Sequence, residues 1–133
     1  MNASDLVAAL VISVGGAVGT LGRYAVSGAV ARAFGETFPW GTLIVNVTGS
    51  FLIGLVAVTT GPDGRLMWPS LLRQYVMVGI FGGFTTFSSF SLQTLTLMRE
   101  GDWLWAGFNV IGSLVLCLVG CWVGWSLGLW INR

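Results

Sequence analysis

Val78-Gly79-Ile80-Phe81-Gly82-Gly83-Phe84-Thr85-Thr86-Phe87-Ser88-Ser89-Phe90-Ser91 decides how the rest of the chain is read. The stretch lies midway through an apolar segment running from about Ser70 to Met98. Glycines come first, then two threonines, then phenylalanines alternating with hydroxyls. Glycine and β-branched residues weaken a helix, each for its own reason. In lipid, backbone can leave helical pairing only where protein covers it or where it lines a cavity. The expectation is a helix break, followed by a short helix that carries phenyl rings and hydroxyls.

The surroundings are those of a membrane protein. Hydrophobic residues make up 55% of the 133 positions and charged residues 8%, against about 25% charged in a soluble domain. The net charge of +1 offers no patch for nucleic acid, and histidine is absent. The length allows one domain, residues 1–133. Cys117 and Cys121 lie four apart in one apolar run. On a helix their Cβ atoms would stand roughly 5–6 Å apart, beyond the disulfide range of about 3.5–4.5 Å, so they are read as small packing or lipid-facing residues. The first apolar run has no basic region or small-residue cleavage site before it, and is expected to be a retained span.

Four spans are expected, at about Leu6–Ala31, Gly41–Thr60, Ser70–Met98 and Trp103–Trp130. The first carries Gly15, Gly16, Gly19 and Gly22, a stripe that admits a close neighbour. Arg23 follows it, either snorkelling to an interface or presenting a cation at a water-filled mouth. The second span carries Asn46 near its middle, with Thr42 a turn before and Ser50 a turn after. Asn46 is read either as a helix–helix hydrogen bond or as an amide aimed at a passing anion. Asn109 and Ser113 share a face of the fourth span, whose tryptophans gather at its ends as interface anchors do.

Basic residues barely distinguish the two sides. Arg65, Arg73 and Arg133 fall on the side of the termini, and Arg32 and Arg99 on the other, joined by Arg23 if it faces that mouth. Orientation follows the Lys/Arg bias, so a chain without one can insert both ways, and two inverted copies can pair about an axis in the membrane plane. A bundle of four spans also has little interior, which favours an oligomer.

Catalysis finds no footing, because general acid–base work needs a titratable group near the operating pH and the spans hold none. Proton-coupled transport meets the same objection. Small multidrug transporters share the size and span number but depend on a glutamate in the first span, where Leu6 to Val30 has no acid. What the spans do offer is hydroxyls, amides and ring edges. A bare ion in low dielectric costs on the order of 20 kcal/mol, and a pore must offset most of this without trapping the ion. Amide N–H and hydroxyl groups donate to anions, and the rim of a phenyl ring is partly positive. Phe87 and Phe90 share a helical face, serving either packing or the ion. Thr86 and Ser89 form a neighbouring row. Carbonyls freed at the break would suit a small monovalent cation, which would hold two breaks together.

Gly82 to Ser91 resembles the GGxTTFSTFS signature of the fluoride channel family, called Fluc or CrcB, with Ser89 keeping a hydroxyl where threonine is common. Gly41-Thr42-Leu43-Ile44-Val45-Asn46 resembles its GTLxxN, and Gly15-Gly16 through Gly19 to Arg23 its first-helix GGxxGxxxR. The resemblance extends along essentially the whole chain. It implies an all-α integral membrane protein of four transmembrane helices with a broken third helix. It implies an antiparallel, dual-topology homodimer in the bacterial plasma membrane, exporting fluoride passively through two pores. It implies a structural sodium ion held by the carbonyls of Gly82 and Thr85. Phe87 and Phe90 match the pore phenylalanines, Asn46 the pore asparagine and Arg23 the vestibule arginine. Thr42, Ser89 and Ser113 belong to the polar track, and Asn109 sits where the family varies.

Overall fold

The computed structural model describes residues 2–133, and among these the secondary structure is wholly helical. Helix α1 spans Ala3–Phe34 and α2 spans Trp40–Thr59. The third span is composite. It begins as α3 (Ser70–Gln74), widens into a π-helical segment (Tyr75–Phe81), closes as α4 (Gly82–Phe84), breaks, and resumes as α5 (Phe87–Arg99). Helix α6 spans Trp103–Ile131. By length and composition, four helical segments qualify as membrane spans: α1, α2, Ser70–Arg99 and α6. These are the four expected spans, each with ends displaced by a few residues.

The ends are fixed by recognisable chemistry. The Asn2 side chain accepts from the Asp5 N–H at 2.9 Å, and Asp5 Oδ2 accepts from the Asn2 N–H at 3.1 Å. This reciprocal box satisfies two of the donors that open α1. Gly35 ends α1 at φ 80°, a left-handed conformation that glycine adopts without steric penalty. At the opposite end of the bundle Arg65 Nη1 donates to Ile131 O at 3.2 Å and Asn132 Nδ2 to Val58 O at 3.1 Å. These bonds tie the end of α6 to the α2 side.

Two seams hold the bundle, and glycines make both. Between α2 and α6, a Cβ on Gly54 or Gly124 would overlap the carbonyl of Cys121 or Phe51. Between α1 and the third span, a Cβ on Gly15 would come to 2.6 Å from Tyr75 O, and one on Gly79 to 2.9 Å from the Gly15 Cα. Gly19 fits against Ile80 and Phe84, and Gly83 against Gly16. Lipid tails are as apolar as leucine side chains, so helices associate through close van der Waals contact, which small residues permit.

The break is narrower than the stretch that suggests it. The glycines of the central stretch do not form the break: Gly79 lies in the π-helical segment, while Gly82 and Gly83 are α-helical. The extended residues are Thr85 (φ −86°, ψ 157°) and Thr86 (φ −153°, ψ 114°). The physical reason is division of labour: the glycines bring α1 close, and the β-branched pair, which favours extended backbone, leaves the helix. The π-helical turns were not foreseen at all.

Interior is scarce. The buried apolar cluster is Phe38, Leu43, Leu97 and Ala106, with Trp40, Val47 and Met98 packed against it. It gathers at the end holding the α1–α2 and α5–α6 connections, where Phe38 stacks with Trp40 at 4.6 Å and with Trp105 and Phe108 at 5.4 and 5.3 Å.

The two seams make a sharp test. Gly16 has nothing within 4 Å of a built Cβ, whereas Gly19 has backbone in that volume. Gly16→Ala is expected to leave thermal unfolding in detergent unchanged, and Gly19→Ala to destabilise by about 1–3 kcal/mol, the usual cost of overpacking. Equal melting temperatures would show that α1 does not pack on the third span as described.

Candidate functional site: a broken span and its hydrogen bonds

A continuous helix would pair the Thr86 N–H with Gly82 O and the Ser89 N–H with Thr85 O. Neither pair forms. The Thr86 N–H donates instead to Asn46 Oδ1 at 2.7 Å, and Asn46 Nδ2 returns a bond to Thr86 O at 3.0 Å. The amide of α2 thus serves both polar groups of the extended residue. The Ser89 N–H donates to Thr86 Oγ1 at 3.2 Å, so Thr86 caps α5, and Thr86 Oγ1 donates to Ser89 Oγ at 3.0 Å. Gly83 O, a further carbonyl in the break, accepts from Arg23 Nε at 3.1 Å.

Gly82 O and Thr85 O have therefore both lost their helical donors to side chains. On the amino-terminal side Thr85 is still tied back, its N–H and its hydroxyl both donating to Phe81 O at 3.0 and 2.8 Å. Gly82 lies at the surface of the chain, with open space where a Cβ would be.

Asn46 was read from sequence with two alternatives, and in this chain it makes the structural bond. Its partner is the broken backbone itself. Arg23 is likewise committed: its Nε reaches inward to the break while the residue lines a cavity of about 850 Å³. Thr42, Thr86, Ser89 and Gln93 line the same cavity, with Glu36, Glu100 and Asp102 among its other wall residues. Gln93 Oε1 is buried there without a hydrogen-bond partner. Arg23, Thr42 and Ser89 thus share one cavity wall.

Phe87 and Phe90 pair with ring centroids 5.2 Å apart and planes tilted by 47°. Phe87 is 79% exposed, so beyond its contact with Phe90 most of the ring is left uncovered by its own chain. Asn109 and Ser113 lie elsewhere, buried between α5 and α6. Asn109 Nδ2 donates to Thr94 Oγ1 at 2.8 Å, Thr94 Oγ1 to Phe90 O at 2.8 Å, and Ser113 Oγ to Asn109 Oδ1 at 3.4 Å. The polar residues expected to form one track therefore fall into two groups in the single chain, with the α5 segment from Ser89 to Thr94 between them. Thr94 was missed. Its signal was present, since it lies one turn beyond Phe90 on the α5 face that meets α6.

The family model described as "CrcB-like protein, Camphor Resistance (CrcB)" matches residues 10–125. The chain belongs to the CrcB family. Among its relatives is a protein of Opitutus terrae named fluoride-specific ion channel FluC, 59% identical over 123 residues, 92% of this chain and 93% of that one. A Rhodospirillum rubrum protein of the same name is 54% identical over 124 residues, covering 93% and 96% of the two chains. FluC 3 of Brucella suis is 41% identical over 124 residues and 93% of each chain. With four membrane-length apolar helices, this CrcB-family chain is a multi-pass protein of the bacterial cell membrane.

The double bond between Asn46 and Thr86 generates a direct test. Asn46→Ala leaves a donor and an acceptor unpaired in a half-buried place, which costs about 1–3 kcal/mol for each group left so. Amide hydrogen exchange at Thr86 is expected to accelerate by about tenfold or more, the equivalent of ~1.4 kcal/mol, while amides in the middle of α6 keep their rates. An unchanged Thr86 amide would mean that Asn46 does not hold the break.

Proposed function

We propose that this chain is a fluoride-selective passive channel that exports fluoride across the cell membrane. The observation that carries the reading is the break at Thr85–Thr86, with amide, guanidinium and hydroxyl donors arranged round it in a span that lipid would otherwise force to be a closed helix. The shared name of the relatives supplies the ion. Those relatives are named as channels, which favours neither an enzyme nor the small multidrug transporter.

In this reading the ion enters through the Arg23 cavity, whose hydroxyls at Thr42 and Ser89 replace part of its water. The exposed rim of Phe87, with Phe90 behind it, offers partial positive charge without a full charge that would trap the ion. Asn46 keeps one N–H beyond the bond it gives to Thr86, since a carboxamide carries two donors. Ser113 and Asn109 extend the track, their hydroxyl and amide already aligned with Thr94.

The working unit is an antiparallel, dual-topology homodimer. Support comes from the surfaces of Gly82 and Phe87, which one chain leaves open, and from the similar arginine numbers at the two ends. A sodium ion fits the break. Gly82 O and Thr85 O are hard oxygen ligands deprived of their helical donors, two from each copy. When bound, the ion supplies fixed positive charge that holds those carbonyls, while the chain's own side chains hold the adjoining N–H groups.

Efflux of fluoride from liposomes containing the purified protein, followed with a fluoride electrode, tests the channel. Phe87→Ile, which keeps an apolar side chain but removes the ring, is expected to slow efflux by about tenfold or more, or ~1.4 kcal/mol of barrier. Collapsing a proton gradient should leave the wild-type rate unchanged. Wild-type flux in Phe87→Ile removes that ring from the pore, and flux that follows the gradient makes the protein a transporter. Separately, protein purified and reconstituted without sodium is expected to conduct less than the same protein in sodium, and to recover when sodium returns. Equal flux in sodium-free and sodium-containing samples, with sodium absence verified by elemental analysis, would remove the ion from the account.

A further inference from the structure

A second cavity, of about 560 Å³, opens at the end of the bundle opposite Arg23, and Arg73 is its only charged wall residue. Arg73 sits about one turn into the third span. Its Nε donates to Thr60 Oγ1 at 3.2 Å and its Nη2 to Ala57 O at 3.3 Å. Thr60 is 1% exposed, and its own hydroxyl is bonded to Val56 O at 2.6 Å. The guanidinium is therefore fastened along its Nε/Nη2 edge to an immobile point. The remaining fork, Nη1 with the second Nη2 hydrogen, has no protein partner among the described residues.

The contrast with the Arg23 cavity is informative. That cavity has three carboxylate residues in its wall and this one has none. A guanidinium oriented on one edge and open on the other matches the bidentate geometry of an oxyanion, phosphate above all. Ser70 adds to it: its Oγ accepts from Gln74 Nε2 at 3.3 Å, which leaves its O–H to donate into the cavity. Trp68 in the same wall marks the membrane interface, and Met67 and Met77 make the remainder of that wall apolar. Basic recesses between spans at headgroup depth are where anionic lipids are held.

We infer that the Arg73 cavity binds a phosphate-type oxyanion, with the phosphodiester headgroup of an anionic lipid as its natural form. The site shares no wall residue with the Arg23 cavity. The test is native mass spectrometry of the purified full chain with phosphatidylglycerol or phosphatidylcholine added, and with inorganic phosphate as competitor. Wild type and Arg133→Gln, which removes a charge at the same end, are expected to retain phosphatidylglycerol over phosphatidylcholine. Arg73→Gln is expected to lose about tenfold in retention, or ~1.4 kcal/mol. Arg73→Lys keeps the charge but not the fork, and is also expected to retain less; it serves if the glutamine variant does not fold. Phosphatidylglycerol held against inorganic phosphate marks a lipid, and phosphate bound with no lipid retained marks a free ion. Equal retention by wild type and Arg73→Lys, or binding of neither probe, overturns the site.

Discussion

A bilayer will not hydrate an open peptide group, and this constraint shapes the whole molecule. Where the third span breaks, two residues from other helices and one from the break itself meet it. Asn46 takes both groups of Thr86, Arg23 takes Gly83 O, and the Thr86 hydroxyl takes the Ser89 N–H. Each is a polar side chain that would be expensive in lipid if it stood alone. Together they satisfy the open N–H groups of the break and Gly83 O, and leave Gly82 O and Thr85 O without their helical donors. The break is therefore a joint property of α1, α2 and the third span.

The glycine seams follow from the same constraint. Arg23 reaches Gly83 O only because α1 lies almost in backbone contact with the π-helical segment and α4, and that approach depends on Gly15, Gly19, Gly79 and Gly83. The wider π turns fit this crowding, since they shift the phase of the span just before it breaks. Such turns recur where a helix is bent to a purpose. On the other side α2 is held against α6 by Gly54, Gly124 and Gly128, which keeps Asn46 at a fixed height relative to Thr86. Packing by small residues thus positions the polar groups, and the polar groups permit the unwound backbone.

The fold was largely legible in the sequence because its signals are strong ones. Runs of twenty or more apolar residues, turns at Pro39 and at Gly61-Pro62-Asp63-Gly64, and tryptophans at span ends each have one physical meaning in a membrane. The break was legible as a region and illegible as a residue, because glycine serves equally to loosen a helix and to admit a neighbour. Only the distances from Gly79 and Gly83 to α1 separate the two uses. Among the residues singled out in the sequence, Arg23, Thr42 and Ser89 line one cavity. Asn109 and Ser113 do not join them in one chain, since spacing along α6 says which residues share a face but not what that face meets. The bond from Asn46 to Thr86 spans forty residues and could not have been found by periodicity, which is local.

What one chain leaves undone points in a single direction. Phe87 stands 79% exposed beside a broken backbone, and Gly82 lies at the surface with its carbonyl stripped of its helical donor. Lipid does not serve the two equally. A phenyl ring tolerates acyl chains, but a carbonyl without a donor does not, and helical packing elsewhere in the molecule leaves nothing free to fold over it. The proposed inverted partner would answer both needs, covering the exposed ring and bringing a second open carbonyl within reach of a shared cation. The break therefore leaves the single chain with one backbone group that its own side chains do not cover.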